Sequence, residues 1–560
     1  MLNLFKLKLK PDILKKHSSI LCAVVLFLLC YFVFFHNIGN YALIDVDETR
    51  YVSISRDMFL SKDFLTLYLN GEYFFEKPPL YFWGECLSFQ LFNTVNEFSA
   101  RFPSCIYAAL CVMLMYFSGR KIVSERYGFI SAVILASSLE FMIIAKLAIL
   151  DIAAAACIGF SVMSGFLTQF VQEKYIKYCW WLFYMFSALG ILAKGIPAFF
   201  VPFGTMFFVC LFNKSFKKIF KPNYIITGFI ILLLIVLPWH ITMFKMHNPQ
   251  FFNEYILVHH IDRFFSSEKI HRAQPFYFYI LTLLWGLCPY LPAAISVWIT
   301  KLKKIEKISF SNMTNSRKFL WFNIIAFTVT FLFFSISSTK LITYILPAYF
   351  PASFIIAYIW EDYIFNNKYQ KPVNISVFIF GSIFLFAAIA ACFMHLFLPE
   401  KIYIYAKQVQ LFGILLGACF GLCSIFFAIK NNKKGVFILY CLFVVILSAF
   451  GTKIVYNFDF SFGQNDLMKF AEYYKEHNIN PIVINAPRKY SVLFYSEKPV
   501  KYIAANSKIN SPEAKQIYLE KDNVIIVKNK EVPLIAYEYN YETIQNGIRY
   551  ALLKIISKKG

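Results

Sequence analysis

The sequence predicts a polytopic α-helical membrane protein with a small α/β domain at its C-terminus. Three observations predict it. The 560 residues are 59% hydrophobic and only 16% charged, against about 25% charged in soluble proteins. Apolar runs of about 18 or more residues, long enough to cross a bilayer, recur from Ser18 to Tyr456. Beyond Tyr456 the composition turns polar, and short β-like runs alternate with helix-like pieces.

Residues 1–456 therefore form the membrane domain and residues 457–560 an α/β domain. The apolar runs lie at roughly 18–36, 101–119, 128–146, 149–169, 177–193, 195–212, 223–243, 276–298, 319–337, 341–360, 373–397, 408–429 and 435–455, about thirteen transmembrane helices. The first follows five lysines and lacks a small-residue cleavage pattern, so it reads as an uncleaved span with its N-terminus in the cytoplasm. The short aromatic piece Leu80–Thr94, which carries Glu85, reads as a juxtamembrane helix. That choice places the basic loops at Arg120–Arg126, Lys214–Lys221, Lys301–Lys318 and Lys430–Lys434 together on the cytoplasmic side, as the positive-inside rule requires.

The net charge of +23 is explained by these loops and a basic tail, so it does not point to nucleic acid. The 13 cysteines lie mainly in apolar runs and none follows Tyr456, which argues for small core residues rather than a disulfide or metal framework. In the tail, Ile482–Ile484, Val492–Tyr495 and Val524–Val527 read as strands, and Asp466–His477 and Pro512–Lys521 as helices. No internal repeat is visible.

The same topology places Asp47, Lys77, Asp151, Lys194, His260, Arg263, Lys340 and Tyr344 on the outer side. The stretch from Tyr41 to Trp83 is the densest part of this set. Asp47 opens a helix running to about Leu60 and shares a face with Arg50 and Ile54; the plain alternative is helix-dipole electrostatics. Glu76-Lys77-Pro78-Pro79 sets a carboxylate beside an ammonium on a proline-fixed turn, although a snorkelling lysine would look the same. Asp151 begins an apolar run and could be no more than a helix cap. Lys194-Gly195 could be a tight helical hairpin. His259-His260-Ile261-Asp262-Arg263 could bind a phosphate or a metal, or be a solvated loop. Lys340 and Tyr344 are spaced to share one helical face. Acids and cations gathered at one lipid–water boundary suit a lipid-linked phosphate.

YALIDVDETRYVSISRDM, FFEKPPLYFW, LAKG, HHIDRF and KLITYILP, in this order, resemble the bacterial 4-amino-4-deoxy-L-arabinose lipid A transferases. These belong to the GT-C superfamily, which also holds protein O-mannosyltransferases. The resemblance implies a GT-C type fold in the inner membrane, with its active site on the periplasmic face. It implies transfer of a sugar from a polyprenyl phosphate carrier to lipid A with inversion, and no nucleotide cofactor. It casts Asp47 as the catalytic acid of the first loop, Lys77 and Arg263 as cations on the carrier phosphate, and Asp151 and Tyr344 as further site residues. Lys340 is a further candidate for that phosphate. Glu76 and His260 match a zinc-binding position. The sequence departs from the family pattern in its adjacent His259-His260 pair and in Thr339, where a glycine is usual near the KL motif.

The donor class is better defined than the acceptor, and a protein or another glycan remains an alternative acceptor. A lipid-linked sugar transporter would place its polar residues at mid-membrane, in broken helices of repeated halves. Here they gather at one interface.

Overall fold

The computed structural model describes residues 11–216, 221–262, 274–301, 313–398, 400–451, 454, 464–484, 489–503, 512–519 and 523–559. Every apolar run read from the sequence is helical. Among the described residues, eight helices are long and apolar enough to cross a membrane, two further pairs are bent, and three apolar helices are shorter. The bent pairs are Glu125–Ala136 with Leu139–Ala145, at 65°, and Phe278–Gly286 with Leu291–Thr300, at 115°. The short ones are Ser19–Phe35, Asp151–Leu167 and Pro197–Phe212. These units match the thirteen runs one to one.

Burial separates centre from periphery. The most apolar window of Ile342–Phe365 is 78% buried, whereas those of Pro222–His247 and Gln370–Cys392 are 17% buried. An apolar helix that buries so little of itself has a face suited to lipid. Close helix approach depends on small residues. A Cβ on Gly128 would lie 2.4 Å from the Tyr116 carbonyl oxygen, so no other residue fits where that turn crosses the Glu97–Ile122 helix.

The first outer loop folds into a helix, a hairpin and a second helix. The helix Asp47–Ser61 is closed by Lys62 at φ +61°, one residue past the end expected near Leu60. Strands β1 (Tyr68–Leu69) and β2 (Glu72–Tyr73) pair antiparallel. Asn70 and Gly71 join them, with φ of +56° and +83°, the backbone an Asn-Gly hairpin turn needs. Leu80–Phe92 follows as a 13-residue helix, too short to span.

The C-terminal domain is a five-stranded mixed sheet with helices. Its strands are β3 (Ile482–Ile484), β4 (Lys501–Ile503), β5 (Val524–Lys528), β6 (Tyr539–Asn546) and β7 (Tyr550–Lys558), in the order β4-β3-β5-β7-β6. β4, β3 and β5 run parallel, and β7 is antiparallel to β5 and β6. The run Val492–Tyr495, expected as a strand, lies in a helix, Ser491–Ser496. Val492, Leu493 and Phe494 are all buried in that helix. Packing on several faces overrides the β preference of a short apolar run.

Candidate functional site

The acidic cluster of the first loop divides into three separate jobs. Glu48 is buried and forms a two-point pair with Arg101, whose Nε and Nη2 donate to its two oxygens at 2.8 Å each. The rest of the Arg101 guanidinium donates to the carbonyls of Ile38, Tyr41 and Ala42 at 2.7–2.8 Å. The backbone N–H of Ala148 also donates to Glu48, at 2.6 Å. This knot ties the first loop to the Glu97–Ile122 helix and to the link between Leu139–Ala145 and Asp151–Leu167. Asp45 accepts from Thr49 and from Ser491 of the C-terminal domain. Asp47 remains, with its side chain 55% exposed.

Asp47 is the first residue of its helix, and Arg50, one turn on, donates to it at 2.7 Å. Arg50 also lies 3.6 Å from the Glu76 carboxylate and stacks near Tyr51 and Phe74. Burial works against the Arg50 charge, but Tyr51, Glu76 and Asp47 outweigh it and hold its pKa raised. Arg50 is thus a fixed cation between the carboxylates of the two loop motifs.

Glu76 and Lys77 line a cavity of about 380 Å³. Lys194, Tyr344 and His259 line it as well, and Ile196, Phe200, Phe333 and Phe334 form an apolar side. Phe200 and its neighbours Phe207 and Leu211 are about half exposed, so the helix carrying this wall shows an apolar outer face. Lys194 is the last residue of its helix, which Gly195 ends at φ +93°. Its ammonium donates to Asp151 at 2.5 Å and sits 4.2 Å from the centre of the Tyr344 ring. Asp151 is therefore a charge partner rather than a helix cap; Leu150 holds the cap position, and no side chain caps that helix. Asp151, Thr343 and Tyr344 line a small hollow that also meets Lys194.

The structure thus brings Glu76, Lys77, Asp151 and Tyr344 together, with Asp47 linked to Glu76 through Arg50. Lys340 lies apart. Its side chain is 5% exposed and donates to the carbonyls of Ser337 and Gln274 at 2.7 and 3.1 Å. The expected shared helical face of Lys340 and Tyr344 is not formed, because helical structure begins at Ile342 as a tight 3₁₀ segment containing Pro347. Lys340 precedes it in an extended stretch. Arg263 and the His260 side chain lie outside the described residues. The sequence places Lys194 on the outer side and in the LAKG motif, without a role beyond a helical hairpin. Arg50, which bridges the two loop motifs, was read only as sharing a face with Asp47.

Of the two residues matched to a zinc position, Glu76 is described and the His260 side chain lies outside the described residues. The Glu76 carboxylate already faces Arg50, and a guanidinium competes with a metal ion for the same oxygens. Among the described residues, no group of three or more His, Cys, Asp and Glu side chains could hold a metal.

Residues 18–252 match the family model described as dolichyl-phosphate-mannose-protein mannosyltransferase. An undecaprenyl phosphate-alpha-4-amino-4-deoxy-L-arabinose arabinosyl transferase from Wigglesworthia glossinidia brevipalpis is 30% identical over 416 residues, which cover 72% of this chain and 70% of that one. The chain belongs to this arabinosyl transferase family. It is accordingly a multi-pass membrane glycosyltransferase. A second family member, from Proteus mirabilis, is 27% identical over 76% of this chain and 75% of its own length. The crystal structure of ArnT from Cupriavidus metallidurans bound to undecaprenyl phosphate superposes with a TM-score of 0.77 at 15% identity, over 96% of this chain and 98% of that one. The arabinosyl transferase fold therefore extends through the C-terminal sheet.

Proposed function

We propose that this chain transfers 4-amino-4-deoxy-L-arabinose from undecaprenyl phosphate to a phosphate of lipid A, at the periplasmic face of the bacterial inner membrane. The observation that carries this reading is the cavity itself, whose lining combines the cations Lys77 and Lys194 with the apolar Phe200 and Phe333. Such a site suits a phosphate joined to a long hydrocarbon. The basic loops, all on the opposite side in the sequence topology, support the periplasmic placing.

In the reaction, an oxygen of the acceptor phosphate attacks the anomeric carbon as the bond to the carrier phosphate breaks. Attack from the opposite face inverts that carbon. The carrier leaves as a phosphate monoester, whose growing negative charge Lys77 and Lys194 stabilise. An acceptor phosphate monoester is already largely dianionic near neutral pH, its second pKa being about 6. Asp47 then orients groups through Arg50 more than it removes a proton. A protein or glycan hydroxyl in place of lipid A would require Asp47 to act as a general base.

The test compares lipid A masses from cells with and without the protein, beside Asp47→Ala and Lys77→Ala at equal protein levels. Loss of an aminopentose-sized increment in the deletion and both variants is expected. An unchanged lipid A spectrum overturns the acceptor. Accumulated undecaprenyl phosphate sugar in that case would keep the transferase and redirect the search to another acceptor.

A further inference from the structure

The C-terminal domain grips the first outer loop in three regions, each close to a segment that carries a site residue, and in the first of them Gln464 and Tyr495 add bonds to Asp45 and Leu43. At the first, the backbone N–H of Ser491 donates to Asp45 Oδ1 at 2.9 Å and its hydroxyl to Oδ2 at 2.6 Å. The Thr49 hydroxyl donates to the same carboxylate at 2.6 Å. Asp45 lies two residues before Asp47, so these bonds fix the start of the helix that presents Asp47.

The second grip is on the hairpin. The Asn70 side-chain amide donates to the Val500 carbonyl and accepts from the Val500 N–H, both at 2.8 Å. A side chain here does what a neighbouring strand would do, just ahead of β4. Leu69 packs against the core of the same domain. β2 of that hairpin leads directly into Phe74-Phe75-Glu76-Lys77, and the Phe74 N–H donates back to the Leu67 carbonyl at 2.8 Å. The third grip joins the Arg56 guanidinium to the Phe494 carbonyl at 2.7 Å.

We propose that the C-terminal α/β domain is a positioning element of the active site: Ser491 sets Asp47 through Asp45, and the Val500 backbone sets Glu76 and Lys77 through Asn70. This rests on the transferase reading given above. The two motifs sit on a loop, where catalytic groups need a rigid support to keep their geometry. Misplacement of a reacting group by about 1 Å can cost about 100-fold in rate. Neither Ser491 nor Asn70 lines the cavity, so both act through other residues.

The test uses the full-length enzyme carrying Ser491→Ala or Asn70→Gly. Glycine keeps the left-handed turn at residue 70 without strain, so Asn70→Gly deletes the grip and spares the hairpin. Ser491→Ala deletes the hydroxyl bond and leaves the backbone one. Expected results are a kcat about tenfold lower for Ser491→Ala with its KM for the donor held, and a donor KM about tenfold higher for Asn70→Gly. Melting temperatures should hold in both, and Ser491→Thr should restore part of the rate. Hydrogen exchange should quicken over residues 45–50 in Ser491→Ala and over 74–79 in Asn70→Gly.

Unchanged kinetics and exchange overturn the proposal. So do losses that only track a fall in melting temperature, which indicate a general structural role. A rise in the acceptor KM alone also overturns it and makes the domain an acceptor-binding element. If the unmodified enzyme releases no undecaprenyl phosphate from the donor, the transferase reading fails, and the exchange data alone decide whether the grips set the loop.

Discussion

Lys194 and Asp151 meet across 2.5 Å, with side chains 14% and 11% exposed, and Lys194 lines the cavity. They come from opposite ends of two helices, Glu173–Lys194 and Asp151–Leu167. The pair keeps a cation ready in an apolar surrounding without leaving its charge uncompensated. An arriving carrier phosphate can draw on Lys194 while Asp151 holds the ammonium in place.

That arrangement separates stability from activity. Lys194→Met leaves the Asp151 carboxylate largely buried without its partner, at a cost of about 2–3 kcal/mol, below the range for fully buried pairs because both groups retain some exposure. The double variant Asp151→Asn with Lys194→Met should regain most of that stability and none of the transfer activity. Thermal unfolding and a donor-consumption assay on the three proteins check this. A double variant as unstable as Lys194→Met would show that the pair is not what the single change breaks.

Asp47 and Glu48 are neighbours in sequence with opposite expected phenotypes. Glu48→Gln removes the charge that answers fully buried Arg101, and should cost about 3–5 kcal/mol and lower the amount of folded protein. Asp47→Asn, on an exposed carboxylate, should change stability by no more than about 0.5 kcal/mol while slowing transfer. The slowing should be milder with a phosphate acceptor than with a hydroxyl acceptor. Equal and complete loss with both acceptors would refute that distinction.

Lys77 and Lys340 should part in the same way. Lys77 lines the cavity, so Lys77→Ala should raise the KM for the donor at unchanged melting temperature. Lys340 donates to the backbone carbonyl of Ser337, at the end of the Asn315–Ile336 helix, and to that of Gln274. Lys340→Met leaves those carbonyls unpaired and should lower the melting temperature first, by an amount equivalent to about 1–3 kcal/mol. Direct titration with undecaprenyl phosphate distinguishes them: weakened binding in Lys340→Met without destabilisation would return Lys340 to the phosphate site.

The sequence made the membrane architecture readable because span length and hydropathy are local properties. All thirteen apolar runs are helical, and Leu80–Phe92 falls short of a span. Convergence of Glu76, Lys77, Asp151 and Tyr344 was legible from sidedness together with family resemblance. Pairing was not. Nothing in the local pattern separates Asp45, Asp47 and Glu48, because Arg101 and Ser491 come from distant parts of the chain. Lys340 and Tyr344 were misjudged because an i, i+4 spacing presumes a helix that starts early enough to include both. The helix at Ser491–Ser496 was missed because burial, rather than intrinsic preference, decides the state of so short a run.

Glu85 gives a prediction that concerns pH. It lies in the Leu80–Phe92 helix, fully buried, where burial pushes its pKa well above the usual carboxylate range. The Ser55 hydroxyl donates to one of its oxygens, and the other has no hydrogen-bond partner. A carboxyl whose pKa is raised on folding binds a proton more tightly in the folded state. Its contribution is complete below the unfolded value of about 4.5 and is lost as pH rises through the folded value. The unmodified protein should therefore lose stability relative to Glu85→Gln as pH climbs above about 4.5, by up to about 1.4 kcal/mol per pH unit. Glu85→Gln supplies a neutral side chain of the same shape, so it should unfold at a higher temperature at pH 7 to 8 and converge with the unmodified protein near pH 4. Melting curves in matched detergent across that range check it. A Glu85→Gln protein that is less stable at pH 8 would mean that the carboxylate is held ionised, with a cation answering it.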